Sequence, residues 1–289
     1  MKISLIITAF KETNVGRAIE SALNQTYKED YEVIVCAPDK ETLNISKKYK
    51  VKTFIDPGKG KSFALKLLFN KIKSDILILT DGDVFIDKFA VESIVKHFNN
   101  KEVGAVSGRP IATNPKNTKY GFFSHLLLDA GAHRIRYELN KKNKFLECSG
   151  YLFAIKNIIK DFPLDVAEDS VIPYLIWKKG YKIKYEPEAK VYVKYPSEIK
   201  EFVKQRKRVV GSHSKLDIYY PAFPKVKTFK NELFKGVFWA LSYPKNIKEF
   251  FWTLNLLPLR LYIWIAYYFD SLFKKKSYQD GWERVESTK

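Results

Sequence analysis

Two aspartates, Asp81 and Asp83, directly follow the apolar run ILILT at residues 76–80. Carboxylates two residues apart repel each other, and burial beside a strand removes part of their hydration. This cost suggests that the pair has a role at the end of the buried strand. Three interpretations compete: an acidic turn, a phosphate-transfer site, or a site for a divalent metal.

Polar residues also follow the other strands predicted in the first 100 residues. Lys11 and Glu12 follow the first strand, Asp39 follows the second, and the segment DPGKGK at 56–61 follows the third. The carboxyl ends of parallel strands meet at one edge of an α/β sheet, where ligands bind. Taken singly, Glu12 could cap a helix, and Asp39 or the glycine-rich segment could form a turn. Taken together, they predict a pocket for a nucleotide and a metal.

The elements that must position these residues alternate along the chain. Apolar runs such as ISLIITAF and YEVIVCA are separated by segments with helical spacing, such as VGRAIESALNQT. This alternation predicts an α/β fold with a mostly parallel, doubly wound sheet and helices on both faces. Beyond residue 100 we expect two strands around a helix near 118–140, a helix over EDSVIPYLIWKKG, and two strands over YKIKYEPEAKVYVKY.

The composition favours an anionic partner. The chain carries a net charge of +19, and its apolar fraction of 46% excludes wholesale disorder. With only Cys36 and Cys148, a disulfide framework or a zinc cluster is not expected. The N-terminus does not have the pattern of a signal peptide, and no run of about 20 apolar residues is present. We therefore expect a cytoplasmic protein.

The C-terminal region changes in character. Residues 196–230 are basic, and residues 231–273 are aromatic and apolar, with prolines and a few charges. This pattern predicts amphipathic aromatic helices that lie at an anionic membrane surface, on the cytoplasmic face of the cell membrane. Helices packed on the protein's own core are the alternative.

Four motifs resemble glycosyltransferase family 2, whose members have a GT-A fold. SLIITAFKETNVGRAIESALNQTY resembles the family's opening, and PGKGKSFALKLLFNKIKSDILILTDGDV resembles its stretch into an Asp-x-Asp motif. AED at 167–169 is similar to its catalytic-base motif, and QRKR at 205–208 to the Gln-x-x-Arg of membrane-associated members. Val209 stands where those members have tryptophan, which argues against a processive polymerase.

The resemblance covers roughly residues 1–212 and implies a division of the chain. Residues 1–212 would form the GT-A domain, with a nucleotide-binding half at 1–100 and an acceptor and catalytic half at 101–212. Residues 213–289 would form the basic and aromatic membrane-interface region.

The resemblance also implies the chemistry. It implies inverting, metal-assisted transfer from a UDP- or GDP-linked sugar, with Mn²⁺ or Mg²⁺, to a hydroxyl or phosphate of a lipid-linked or glycan acceptor. Asp83 would hold the metal, and Asp81 the ribose or a metal-bound water. Asp169 would be the general base, with Glu168 beside it, although Asp169 could instead cap a helix.

The candidate donor-binding residues complete the expected site. An arginine fork suits a diphosphate, but the basic segment could also be a solvated face or a lipid contact. The candidates are Glu12, Asp39, Lys61, Asp81, Gln205 and Arg208.

Two other functions compete with glycosyl transfer. A haloacid-dehalogenase-like phosphatase also has Asp-x-Asp after a strand, but it wants Thr or Val at the position of Phe85. The other is a non-enzymatic basic module that binds a membrane or nucleic acid. No nucleic-acid-binding motif is recognisable, and the cations lie beside the aromatic region, which favours lipid over nucleic acid.

Overall fold

A computed structural model describes residues 1–224, 236–273 and 288 of the chain. The strands are β1 (Ile3–Thr8), β2 (Glu32–Ala37), β3 (Lys52–Ile55), β4 (Ile76–Asp81), β5 (Phe85–Ile86), β6 (Val103–Ala112), β7 (Leu152–Lys156) and β8 (Lys182–Val193). They form one eight-stranded sheet in the order β3-β2-β1-β4-β7-β6-β8-β5.

Helices cover both faces of the sheet and add a layer at the C-terminal end. A 3₁₀ turn spans Lys96–Asn99, and a π-helix spans Leu127–His133. The α-helices are α1 (Val15–Leu23), α2 (Lys40–Ser46), α3 (Lys61–Lys71), α4 (Ala90–Val95), α5 (Lys119–Leu126), α6 (Arg134–Lys141), α7 (Glu168–Lys178), α8 (Ile199–Ser214), α9 (Leu216–Tyr219), α10 (Val237–Leu241) and α11 (Ile247–Phe273).

The sheet is mostly parallel, as predicted for a GT-A type fold. Strands β3, β2, β1 and β4 run in one direction, β7 is reversed, and β6 and β8 run with the first four. The short edge strand β5 is antiparallel to β8. The carboxyl ends of β1, β2 and β4 therefore lie at one edge, which is where the polar residues were expected to gather.

The central strands are apolar on both sides because both sides are covered. In β1, Ile3, Leu5 and Ile7 belong to the core that α1 and α2 cover, whereas Ile6 belongs to the core on the opposite face with α3 and α7. This two-sided burial explains why β1 and β4 appear in the sequence as continuous apolar runs.

The segment at 181–195 forms one strand, and the prediction of two strands there was wrong. Ser107 of β6 pairs with Tyr185, but Arg109 pairs with Lys190, so β8 carries extra residues opposite Gly108. Pro187 lies in this bulge, where the missing N–H of proline removes no ladder hydrogen bond. A bulge therefore bends the chain where the sequence suggested a turn.

The C-terminal helices pack on the domain through one face. Phe122 and Phe123 of α5, Phe202 of α8 and Ile263 of α11 are fully buried in a third apolar cluster. Within the described residues, no helix is both long enough and apolar enough to cross a membrane. The predicted lysines at 225, 227, 230 and 274–276 lie outside the described residues.

Candidate active site

The turn after β4 fixes the first of the two aspartates. Asp81 ends β4, and its Oδ1 accepts a hydrogen bond from Thr8 Oγ1 at 3.1 Å. The Gly82 N–H donates to the Thr8 carbonyl at 2.9 Å. A Cβ on Gly82 would lie 2.6 Å from the Cβ of Ala9, so glycine is required because the turn packs tightly on the end of β1.

Lys61 links this turn to the Glu168-Asp169 pair. It is the first residue of α3, and it follows Gly60, whose φ of 102° favours glycine. Its Nζ lies 2.6 Å from Asp81 Oδ1 and 2.9 Å from Glu168 Oε1. Burial alone would lower the pKa of this ammonium, but the two carboxylates raise it above its usual value. Lys61 is therefore a fixed cation between two acids.

Asp83 lies in a negative environment. Loss of hydration is the largest cause that raises the pKa of Asp83, to about 7, and the carboxylates of Asp81 and Glu12 add to it. The Asp83 side chain is itself exposed, so solvent screens part of this repulsion. Glu12 is buried, and its Oε1 accepts the Asn14 N–H at 2.9 Å. A hard cation would relieve this repulsion.

The start of α7 presents the predicted base. Asp169 Oδ2 accepts the Gly150 N–H at 3.1 Å, and the Asp169 carbonyl accepts the Cys148 N–H at 3.0 Å. In a regular helix that carbonyl would accept the N–H four residues later, but that residue is Pro173, which has none. Proline thus leaves the carbonyl available to hold the loop at 147–150. Within the described residues, no donor reaches Asp169 Oδ1.

A protein-family model described as Glycosyl transferase family 2 matches residues 4–161, more than half of the chain. The chain belongs to glycosyl transferase family 2. The match confirms the predicted resemblance to family 2 and favours it over the phosphatase alternative. The matched region contains β1 to β4, Lys61 and both aspartates of the Asp-x-Asp motif.

Two proteins show how this family 2 chain compares in length. A probable glycosyltransferase, YdaM of Bacillus subtilis (strain 168), is 27% identical over 226 residues, with 72% of this chain and 54% of that protein covered. The crystal structure of S. aureus TarS is similar with a TM-score of 0.47 and 16% identity, with 93% of this chain and 54% of that chain covered. This chain spans about half the length of either protein.

Some predicted residues of the family 2 site have other contacts. Asp39 caps α2, and its two oxygens accept the N–H groups of Thr42 at 2.9 Å and Lys11 at 2.7 Å. Burial would raise the pKa of Asp39, but these hydrogen bonds lower it below its usual value. Asp39 therefore shapes the loop after β1, and a donor contact for it stays a prediction.

The Gln-x-x-Arg segment lies on α8 and is divided between two sides. Gln205 is half-buried and accepts a hydrogen bond from Arg206 Nη2 at 2.9 Å. Arg208 is exposed, and in the part of the chain described here no contact joins it to the acidic cluster. The donor-binding roles of Gln205 and Arg208 stay predictions.

Arg206 is a site residue that the sequence reasoning missed. Its guanidinium lies 4.9 Å from the Tyr195 ring centroid, and the Tyr195 and Tyr151 rings are 6.4 Å apart. Burial and then Tyr195 raise the pKa of the Tyr151 hydroxyl, and both Arg206 and Asp83 act on it electrostatically. Arg206 shares the inward face of α8 with Phe202, four residues earlier. An arginine on the apolar face of a helix was the feature of the sequence that could have indicated Arg206.

The acidic cluster fits a divalent cation that a substrate helps to bind. Among the described residues, no group of three or more His, Cys, Asp or Glu side chains could hold a metal alone. Mg²⁺ in nucleotide sites is usually held by one or two carboxylates together with substrate phosphates. Asp83, with Asp81 and Glu12 near it, is such a partial site.

Proposed function

We propose that the protein is an inverting glycosyltransferase that uses a UDP- or GDP-linked sugar and Mn²⁺ or Mg²⁺. The carrying observation is the Lys61 ammonium, which joins Asp81 of the Asp-x-Asp turn to Glu168 of the Glu-Asp pair. This contact supports a donor site and a base that share one end of the sheet. Asp83 and Asp81 would hold the metal, and Lys61 and Glu12 would line the donor site.

The metal would neutralise the charge that develops on the leaving diphosphate. Asp83 supports this role because the neighbouring carboxylates leave it short of positive charge. Lys61 already neutralises part of Asp81 and Glu168, so the excess negative charge is concentrated around Asp83 and Glu12.

Asp169 would act as the general base through Oδ1, while the Gly150 N–H holds Oδ2. It would take the proton of an acceptor hydroxyl as the acceptor oxygen bonds to the anomeric carbon. The bond from that carbon to the diphosphate oxygen breaks, and its electron pair leaves with the nucleoside diphosphate. Attack from the face opposite the diphosphate inverts the configuration.

The acceptor would be lipid-linked or a glycan, and the reaction would occur at the cytoplasmic face of the cell membrane. The net charge of +19 and the aromatic C-terminal helices support a membrane-bound acceptor over a nucleic acid or a soluble one. The region from residue 213 onward would serve this attachment.

The test of the proposed donor site is a calorimetric screen of nucleotide sugars with and without Mn²⁺. The wild type should bind one donor in the presence of metal and hydrolyse it slowly. Asp83→Asn should lose the metal-dependent part of binding, while the exposed Asp30→Asn should behave as wild type. Full activity of the wild type in EDTA would contradict the proposed need for a metal. Full activity of Asp83→Asn would contradict the role of Asp83 as a metal ligand.

Asp169→Asn tests the base and also separates the two classes of acceptor. A hydroxyl acceptor must lose a proton, so its transfer rate should fall about 10²–10⁴-fold, with donor affinity unchanged. A phosphate acceptor is already ionised at neutral pH, so its transfer rate should fall much less. The measurement is single-turnover transfer to each acceptor. Lost donor affinity with retained turnover would mean that Asp169 is only a helix cap.

A further inference from the structure

The outward face of α11 is a continuous apolar stripe. Its side chains recur every three or four residues, as they do on one face of a helix, and none of them is charged. From first to last the stripe is about 33 Å long, at 1.5 Å of rise per residue. Its exposed residues, here called the α11 stripe, are Ile247, Phe250, Phe251, Leu254, Pro258, Leu261, Tyr262, Ile265, Tyr268 and Phe269.

The stripe is separate from the face that holds α11 to the protein. Ile263 is fully buried and Leu256 nearly so, in the cluster with α5 and α8, whereas Ile265 is 59% exposed. The inward face alone therefore accounts for the packing of α11 on the protein. An apolar surface of this extent on the other face of the same helix marks an interaction site.

A row of cations accompanies the stripe on the neighbouring helix. Lys200, Lys204 and Arg208 recur every four residues along α8, and all three are exposed. Helix α8 packs against α11, and Lys207 forms an ion pair with Asp270 between the two helices. The stripe thus has a positively charged margin.

We infer that the α11 stripe and the α8 cations dock this protein on an anionic lipid bilayer, with α11 lying in the plane of the interface. Aromatic and aliphatic side chains on one face of a helix insert at headgroup depth, and the adjacent cations attract anionic lipid. The charge complementarity favours a bilayer over a second copy, because a second copy would bring the same cations together. The inference deepens the proposed function, for which it supplies a surface near a lipid-linked acceptor.

Flotation of the 289-residue chain on a density gradient tests the inference without any donor or acceptor. Vesicles would contain phosphatidylcholine alone, or phosphatidylcholine with about a quarter phosphatidylglycerol. The wild type should float with the anionic vesicles, and raising the salt should weaken this binding. A protein that stays in the soluble fraction with anionic vesicles at low salt would overturn the inference.

Two sets of variants assign the binding to the surface. Leu254→Ser, Leu261→Ser and Ile265→Ser together should abolish flotation and leave the melting temperature unchanged, since all three side chains are exposed. Lys200→Gln with Lys204→Gln should weaken binding to anionic vesicles about tenfold or more. The matched control, Lys47→Gln with Lys48→Gln, removes the same charge from exposed positions beside α2 and should bind as wild type.

Two further outcomes would count against this surface. Undiminished flotation of the triple serine variant would show that another region binds lipid. A wild-type dimer that the triple variant converts to a monomer, with no flotation of either, would show that a second copy covers the stripe. A protein that floats but binds no nucleotide sugar would contradict the proposed function and leave the docking surface standing.

Discussion

Ionisation of Asp83 should lower the stability of the folded protein, by an amount that depends on pH. Its pKa is raised in the folded protein, so folding binds a proton at pH values between the unfolded pKa, near 4, and the folded pKa, near 7. Stability of the metal-free protein should therefore fall as the pH rises through this window. The repulsion from Asp81 and Glu12 is then present in full above about pH 7.

Asp83→Asn should remove this pH-dependent cost. In EDTA, the variant should be more stable than wild type by on the order of 1 kcal/mol at about pH 8, a value discounted for solvent screening. The difference should vanish below about pH 3, where Asp83 is protonated in both states. Thermal unfolding across this range measures it, with Asp30→Asn as the control that should show no trend. A difference that is constant with pH would contradict the assignment.

The two arginines of QRKR should differ in their importance for the donor site. Arg206→Lys loses the planar group over Tyr195 and should weaken turnover or donor binding. Arg208→Lys keeps the charge on the exposed row and should weaken the reaction less than Arg206→Lys, and any loss that it causes would measure the predicted donor role of Arg208. The measurement compares the donor affinity and turnover of both variants with those of the wild type, all without detergent. The opposite ranking would return the donor-binding role to Arg208.

At the residue scale, the sequence indicated the acids better than their partners. Asp81, Asp83 and Asp169 could be found because strand ends and motif order mark them. The contact of Lys61 with both Asp81 and Glu168 could not be predicted, since it depends on how α3 and α7 approach each other. Arg206 was missed because the attention to Gln205 and Arg208 came from a motif and not from the inward face of α8.

At the element scale, Pro173 in α7 gives a test of how Asp169, the proposed base, is held. Pro173→Ala would supply an N–H to the Asp169 carbonyl, which now accepts from Cys148. The competing bond should loosen the loop at 147–150 and lower turnover about tenfold, with donor affinity and melting temperature not reduced. Pro258→Ala in α11 is the matched control and should leave turnover unchanged. Equal effects of the two variants would mean that α7 needs no such break.

The order of strands and helices was predictable where the spacing of apolar residues fitted only a strand or only a helix. The alternation from β1 to β4 follows from apolar runs that are buried on two faces and from amphipathic helices between them. The bulge in β8 was not predictable, because Pro187 and its two glutamate neighbours resemble a turn in sequence. Only pairing with β6 across both sides of the bulge makes that segment one strand.

At the scale of the whole molecule, α11 should contribute stability through one face alone. Ile263→Ala should destabilise the protein by about 2–4 kcal/mol, since the side chain is fully buried between α5 and α8. Ile265→Ala, two residues along the same helix, should cost less than about 0.5 kcal/mol in solution. Chemical denaturation of the two variants tests this. Similar losses would mean that the stripe is covered in the free protein.

Composition could not divide the C-terminal helix into these two faces. Both faces of α11 carry apolar and aromatic residues, so the sequence does not show which of them points into the protein. The sequence therefore favoured the membrane hypothesis but left the packed-helix alternative open. The inward face of α11 packs in the third apolar cluster, and a membrane contact of its outward face stays a proposal.

The hydrogen bond from Cys148 to Asp169 gives the protein an internal reporter. Cys36 and Cys148 are both buried, and no disulfide joins them. Cys36 lies in β2 between covered faces, so a thiol reagent can reach it only when the sheet itself opens. Cys148 lies in the loop that holds Asp169, so local release of that loop would expose it first. The ratio of the two alkylation rates would measure how often the loop at 147–150 opens in the unmodified protein.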